Sequence, residues 1–143
     1  MLGAIAGDII ASPYIKNNAQ SKDFRMFTSV RGWSSGEEVT FFPRVTDASV
    51  MTLAVARWLA TDHEHRKASF ISIMTDLYSK HPDCEYSPIM NMWCKSEYFQ
   101  PFRRDSNDVI ARISPIALKI DDLNEAIKLA KATTEFTHKD PES

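Results

Sequence analysis

Glycine is scarce in this chain, and its four copies all lie in the first 36 residues, at Gly3, Gly7, Gly32 and Gly36. Loops that cradle phosphates need glycine because the backbone must approach the ligand closely or adopt a positive φ. From residue 37 onward the chain therefore holds neither a P-loop nor a Rossmann turn, and a Gly-x-Ser-x-Gly nucleophile motif is absent throughout. Functions that depend on such loops are excluded for most of the chain.

Apolar residues spaced three and four apart recur along the chain, which is typical of helices that bury one face. Thr46, Asp47 and Ser49 are capping-type residues at the start of the most regular stretch, and Asp122 followed by Glu125 resembles a capping box. The predicted helices span residues 2–14, 45–62, 67–79, 86–97, 109–113 and 122–136, and the inward face of the last one carries Leu123, Ala126, Ile127 and Ala130.

The segment between the first two helices, residues 15–45, loses this periodicity. It is polar and aromatic, and no alternating stretch bounded by hairpin turns is convincing. We therefore predict a long loop here, a largely buried first helix before it, and an all-helical fold for the chain.

Composition limits both the class of protein and its partners. The 143 residues are 43% hydrophobic and 25% charged, which favours one globular domain spanning residues 1–143. The 17 Lys and Arg nearly balance the 19 Asp and Glu, so neither general nucleic-acid binding nor attraction to an anionic membrane is expected. No signal peptide or membrane-spanning stretch is recognisable, and we expect a cytoplasmic protein with reduced thiols.

Two groups of side chains carry chemistry that is not tied to helix boundaries. The first is of metal-ligand type but matches no established zinc spacing, so surface or structural roles are expected; it comprises His63, His65, His81, Cys84 and Cys94. The second is aromatic and basic and suits either stacking on a base or, more simply, packed rings beside solvated arginines. Its members are Tyr98, Phe99, Phe102, Arg103 and Arg104, and the arginines suggest an acidic partner.

Four short segments resemble, in order, the N-terminal portion of the ADP-ribosylglycohydrolase family. They are MLGAIAGDIIASPY, VTDASVMTLAVARWL, SNDVIARISPIAL and THKDPES. The resemblance implies an orthogonal helical bundle, here in a truncated form. It also implies hydrolysis of the bond between ADP-ribose and a side chain, with two magnesium ions held by carboxylates and a threonine.

The chain departs from the family pattern where the metals would bind. Ile15 stands where relatives carry an acid, and Ala48 replaces the second carboxylate of the metal motif, leaving Thr46 and Asp47. A further Asp-x-Asp pair belongs to the family's C-terminal portion. Because magnesium needs several oxygen ligands, one aspartate and one threonine do not make a two-metal site, and no cofactor is expected.

The phosphate-contacting segment also differs from that of relatives, since Ser106, Asn107 and Asp108 stand where a Gly-Asn-Gly is common. An aspartate at this position adds bulk and negative charge next to a pyrophosphate. The segment ending in Thr137 and His138 keeps the histidine that the resemblance places near the ligand phosphates.

These observations predict a shortened, catalytically inactive relative that acts by binding. In one version a vestigial cleft takes an ADP-ribose-type nucleotide, and its residues are Asp8, Tyr14, Thr46, Asp47, Asn107, Arg112 and His138. The alternative for most of these residues is a structural role in helix capping. In the other version the aromatic and basic surface, Tyr98, Phe99, Phe102, Arg103 and Arg104, engages a protein as an inhibitor or regulator.

Two alternatives stay open. The chain is a magnesium-dependent glycohydrolase whose other half lies on a second chain, or it is a purely structural subunit. Since the missing portion of the family bundle would leave an apolar face uncovered, we expect a homo-oligomer or a complex with another protein.

Overall fold

The computed structural model describes residues 1–15, 25–103 and 108–139, and these are mostly helical. The all-α prediction is therefore confirmed. The helices are α1 (Leu2–Ala11), α2 (Asp47–Thr61), α3 (Lys67–Lys80), α4 (Pro88–Cys94), α5 (Asp108–Arg112), α6 (Ser114–Lys119) and α7 (Leu123–Glu135), with a short 3-10 turn at Ser12–Tyr14. A small hairpin of β1 (Val30–Ser34) and β2 (Glu37–Phe41) precedes α2.

Helix α2, which the apolar spacing and the capping residues predicted as a helix, is the centre of the packing. It contacts α1, α3, α5 and α6, and six of its apolar side chains are almost fully buried, Val50, Met51, Ala54, Val55, Trp58 and Leu59. Trp58 lies between Phe70 of α3 and Phe136 after α7, at ring distances of 5.6 Å and 6.0 Å. Its indole N–H donates to the carbonyl of Arg66, so this large side chain is buried without an unpaired polar atom.

Three helix starts follow the local capping rules. Thr46 accepts from the N–H of Ala48, and Asp122 accepts from the N–H of Glu125 at 2.8 Å, as the capping-box spacing predicts. Ser87 caps α4, whose Met90 and Trp93 point inward, at 1% and 3% exposure. The helices predicted over residues 45–62, 67–79, 86–97 and 122–136 are thus confirmed, with ends shifted by a few residues.

The hairpin corrects the prediction of a loop without strands. Val30 pairs with Phe41 and Ser34 with Glu37, so Ser35 and Gly36 form a two-residue turn. Both have positive φ, 54° and 86°, which is the backbone that a tight hairpin turn requires and that glycine adopts without strain. A Ser-Gly pair between short β-prone runs was the available signal, and it was weak because the strands are only five residues long.

Helix α1 is also less buried than predicted. None of its residues is classed as buried, and Leu2 is 80% exposed. Among the described residues α1 packs mainly on the 3-10 turn and on α2, and its exposed residues are Leu2, Gly3, Ala4, Gly7 and Ala11. The apolar spacing showed which residues share a face, but not whether another element covers that face.

Helix α7 is rotated relative to its predicted orientation. Leu129 and Thr133 are buried, and Ala126 and Ala130 pack at the edge of the core. Leu123 and Ile127, which were predicted to point inward, are 71% and 57% exposed. The prediction is wrong for these two residues because the buried face of the helix is the one that carries Leu129 and Thr133.

Candidate functional site

Asp8 holds α1 against the start of α2. Its Oδ1 accepts from the hydroxyl of Thr46 at 2.5 Å, and its Oδ2 accepts from the N–H of Thr46 at 3.0 Å and from the hydroxyl of Ser49 at 2.6 Å. Three donors therefore surround this carboxylate, and the chain between Asp8 and Thr46 is closed into a loop of 38 residues. The negative charge of Asp8 therefore strengthens the hydrogen bonds that hold α1 against the start of α2.

Asp47, the first residue of α2, is half-buried, and its carboxyl group lies in a negative environment. Burial is the largest cause of a pKa raised to about 6, and the negative charges of Asp108, Asp8 and Glu85 raise it further. Among the described residues, the hydrogen bond from the Ala48 N–H acts in the opposite direction. Keeping Asp47 ionised at neutral pH consequently costs free energy.

The other positions of the family's metal pattern offer no oxygen ligands from their side chains. Ile15 is 57% exposed at the end of the 3-10 turn, and Ala48 lies in the first turn of α2. Tyr14 is half-buried in the same 3-10 turn. In residues 1–15, 25–103 and 108–139 there is no group of three His, Cys, Asp or Glu side chains placed to hold a metal ion, and this includes the histidines and cysteines noted in the sequence.

Arg112 is completely buried, and its guanidinium group serves to join α5 to α7. Its Nη2 donates to the carbonyl of Thr133 at 2.5 Å and to the hydroxyl of Thr137 at 2.7 Å. The guanidinium carbon lies 5.8 Å from the centre of the Phe70 ring. Burial lowers the pKa of Arg112 to about 10, and the nearby charge of Asp108 partly opposes this change.

His138 is 2% exposed and continues the same polar cluster. Its Nδ1 is 2.7 Å from the hydroxyl of Thr137, and its ring meets that of Phe102 edge to face at 4.3 Å. Burial lowers the pKa of His138 to about 4, and the charge of Arg112 lowers it further, so the ring is neutral at physiological pH. The structure thus brings Arg112 and His138 together, and both side chains are buried in the interior.

The described residues of the predicted cleft belong to two hydrogen-bonded groups. Asp8, Thr46 and Asp47 lie at the start of α2, whereas Arg112 and His138 form a buried cluster. Asp108 connects the two groups electrostatically, since its charge acts on Asp47, on Arg112 and on His138. Asn107, like Ser106, lies outside the described residues.

The aromatic and basic surface is divided in the same way. Phe99 packs on the buried Trp93, with ring centres 5.3 Å apart. Phe102 lies on His138 and is held by two backbone hydrogen bonds, one to Thr137 and one from Lys139, each of 2.9 Å. Tyr98, at 78% exposure, and Arg103 face solvent, while Arg104 lies outside the described residues. The five residues do not present one continuous set of exposed rings.

An apolar groove between α5 and α7 was not anticipated as a site. It has a volume of about 1020 Å³. Ile110 and Ile127, on opposite walls, are 65% and 57% exposed. The helical spacing identified both residues as apolar, and it placed Ile127 on one face of the last helix with Leu123, Ala126 and Ala130. The remaining apolar lining is Pro101, Val109, Ile113 and Ala130, and the polar residues include Lys131, Glu135 and Lys139.

Comparison with known proteins identifies the class to which this fold and site belong. The family model for ADP-ribosylglycohydrolase matches residues 1–143. The chain therefore belongs to the ADP-ribosylglycohydrolase family, and the resemblance of its four segments is confirmed. No curated protein and no solved structure matches it. Among the helices of the described residues, none has the length and apolar character needed to cross a membrane.

The residues at the start of α2 do not fit the two magnesium ions that the resemblance to the family implies. The carboxylate of Asp8 already accepts from three internal donors, Ala48 has no donor atom, and Ile15 is apolar. Asp47 and Thr46 are left, and the Thr46 hydroxyl is shared between Asp8 and the Ala48 N–H. A site for two magnesium ions draws on several carboxylates, and among these positions only Asp47 offers one that is not already engaged, so they do not form that two-metal site.

Proposed function

We propose that this protein is a family member that binds without hydrolysing, and that it binds a protein. The single observation that carries the proposal is the state of Asp8. Its oxygens accept from Thr46 and Ser49, so the carboxylate fixes two helices together and is not free to bind a metal. Without metal ions the site lacks the water-activating group that membership of the family implies.

The charge at the start of α2 favours a protein partner over a nucleotide. Asp47 experiences repulsion from Asp108, Asp8 and Glu85, which is why its pKa is raised beyond the effect of burial. A diphosphate placed at the same point meets the same negative charges, of which only that of Glu85 is seen paired with a cation, Arg44 at 2.6 Å, within the described residues. Arg112 and His138, which would oppose this repulsion, are buried and bound to Thr137.

The α5–α7 groove supplies the surface that a protein would use. It exposes Ile110, Ile127 and neighbouring apolar side chains to solvent, and exposed apolar patches of this kind mark binding sites. The polar side chains of Lys131, Glu135 and Lys139 line its edge. This arrangement of apolar centre and polar rim is typical of protein interfaces.

Two measurements on one sample test the absence of hydrolysis and the preference for protein over nucleotide. We expect no release of ADP-ribose from a modified arginine or serine peptide in magnesium buffer. We also expect no heat of binding when ADP-ribose is titrated into the protein, with or without magnesium. Magnesium-dependent release of ADP-ribose that is lost in Asp47→Ala would contradict the absence of hydrolysis. Binding of ADP-ribose without such release would show that the ligand is a nucleotide and not a protein.

A second candidate is a magnesium-dependent glycohydrolase completed by another chain. The observation in its favour is that Asp47 and Asp108 lie close enough to repel each other, because a cation held between carboxylates removes such repulsion. For this candidate, ADP-ribose binding requires magnesium and increases when Ala48→Asp restores the missing carboxylate. The same substitution leaves affinity unchanged if the protein acts without metal.

A further inference from the structure

We propose that the α5–α7 groove binds a small apolar carboxylic acid, whose carboxylate accepts a hydrogen bond from Nε2 of His138 and whose apolar chain lies along α7. The inference goes beyond the proposed function, since it assigns to the groove a small-molecule ligand that competes there with a protein. It depends on an unpaired buried donor, on the distribution of polar side chains along the groove, and on the positive charge at one end.

The hydrogen bonds around Thr137 fix which nitrogen of His138 carries the hydrogen. The Thr137 hydroxyl oxygen accepts from Nη2 of Arg112 at 2.7 Å, so its own hydrogen goes to one acceptor. Nδ1 of His138 lies 2.7 Å from this oxygen, whereas the carbonyl of Thr134 lies 3.4 Å away, and the shorter contact is the stronger hydrogen bond. Nδ1 therefore accepts, and the neutral ring carries its hydrogen on Nε2.

This Nε2–H group has no hydrogen-bond partner within the described residues, although the His138 side chain is only 2% exposed. Buried donors are nearly always paired, because an unpaired one costs free energy. Nδ1 faces Thr137, so the geometry of the ring directs Nε2 away from Thr137. Because His138 lines the groove, the donor lies just below its surface, and the oxygen of a ligand there supplies the acceptor.

The apolar and polar parts of the groove are separated along α7. Ile127, Ala130 and Thr134 follow the i, i+3 and i+7 spacing of one helix face, and His138 comes after the helix ends. The distance from Ile127 to Thr134 along the helix is about 10 Å. The volume of about 1020 Å³ lies at the upper end of the range for small-molecule sites, about 300–1,000 Å³. The groove therefore suits a ligand with a polar head and an apolar chain.

Positive charge at the polar end favours a carboxylate over a neutral head group. The charge of Arg112 acts on His138 and lowers the pKa of its ring, and the charge of Asp108 opposes this effect in part. Nε and Nη1 of Arg112 have no hydrogen-bond partner within the described residues. Lys139 is exposed beside the groove, whereas the carboxylate of Glu135 already lies 3.8 Å from the ammonium group of another lysine of α7. A carboxylate at Nε2 thus meets mainly positive charge.

Isothermal titration calorimetry with decanoate, at neutral pH and below the concentration at which it forms micelles, tests the proposal on the full chain. We expect one decanoate to bind per chain. Decanol has the same chain without the charge, and acetate has the same head group without the chain. Each should bind at least about tenfold more weakly, since each loses one of the two parts of the contact.

Surface variants locate the binding site. Ile127 is 57% exposed on the groove wall, and Ile127→Asp should weaken decanoate binding at least about tenfold by adding negative charge and removing apolar contact. Lys139→Gln should weaken decanoate about two- to fivefold and leave decanol unchanged. Met92→Asp is the matched control, because Met92 is 72% exposed on α4 outside the groove and its replacement should leave the affinity unchanged.

Two variants of His138 test the donor itself. His138→Leu removes the N–H group, so its affinity for decanoate should fall to that for decanol. His138→Gln keeps an N–H donor on a side chain of similar reach, so it should retain more of the affinity than His138→Leu. Because His138 is buried, circular dichroism must first show that each variant is folded. If one is not, Ile127→Asp and Lys139→Gln, which alter exposed residues, decide the question.

Three results would overturn the inference. They are the absence of decanoate binding, equal affinity for decanoate and decanol, and decanoate binding that Ile127→Asp leaves unchanged. Failure of this inference is distinguishable from failure of the proposed function. A groove that takes no decanoate contradicts the small-molecule ligand alone, whereas release of ADP-ribose from a modified peptide contradicts the proposed function.

Discussion

Replacing Asp47 by asparagine should stabilise the protein at neutral pH. The pKa of Asp47 is raised from 3.8 to about 6, and a difference of about two pKa units corresponds to about 3 kcal/mol between the charged and neutral forms. The neutral asparagine amide cannot keep the favourable interaction of a charge with the first turn of α2, worth about 0.5–1 kcal/mol. Because Asp47 is partly exposed, solvent screening also reduces the difference of about 3 kcal/mol that separates its charged and neutral forms. We therefore expect a gain of about 1–2 kcal/mol in the free energy of unfolding.

The pH dependence of this gain follows from the sign of the pKa change. Because the pKa of Asp47 is higher in the folded state, its stabilising contribution is fully present below pH 3.8 and is lost as pH rises through about 6. The difference between Asp47→Asn and the unmodified chain should therefore be largest above this range and small near pH 4.

Urea unfolding followed by tryptophan fluorescence at both ends of this range measures the effect. Asp121→Asn, at an exposed position of the loop before α7, is the matched control and should change stability little at either pH. If Asp47→Asn lowers the free energy of unfolding at neutral pH, the carboxylate is held by favourable partners. The electrostatic argument against metal-free diphosphate binding would then fail.

Three further predictions concern the interior and the caps. Asp8→Ala should cost about 2–4 kcal/mol in urea unfolding because it leaves the donors of Thr46 and Ser49 unpaired, and a loss below about 0.5 kcal/mol would contradict the anchoring role. The pKa of His138 is lowered to about 4, so stability should fall by up to about 3 kcal/mol as pH drops from about 6.5 to 4. In His138→Gln the free energy of unfolding should change less over this pH range than in the unmodified chain. Equal decreases in both proteins would refute the prediction. Asp122→Ala should lower the melting temperature through a loss of about 1 kcal/mol at the α7 cap, and an unchanged melting temperature would contradict this cap.

The sequence by itself determined the elements whose causes are local. The start of α7 follows from Asp122 and Glu125, three residues apart, and the helix α2 follows from its caps and its apolar spacing. Such interactions join residues within about one helical turn, so they can be recognised without knowing what lies nearby in space. The same holds for the family, which depends on the order of short segments along the chain.

The tertiary structure decided what each residue is used for. Asp8 is bound to Thr46 across 38 residues, and Arg112 is bound to Thr137 across 25 residues, so neither pairing has a local signal. Burial and neighbouring charge, not residue type, make His138 neutral and raise the pKa of Asp47. Apolar spacing likewise marked Ile127 and Leu2, but only packing determined that both lie on exposed surfaces. Spacing shows which residues share a face, whereas covering that face depends on elements distant in sequence.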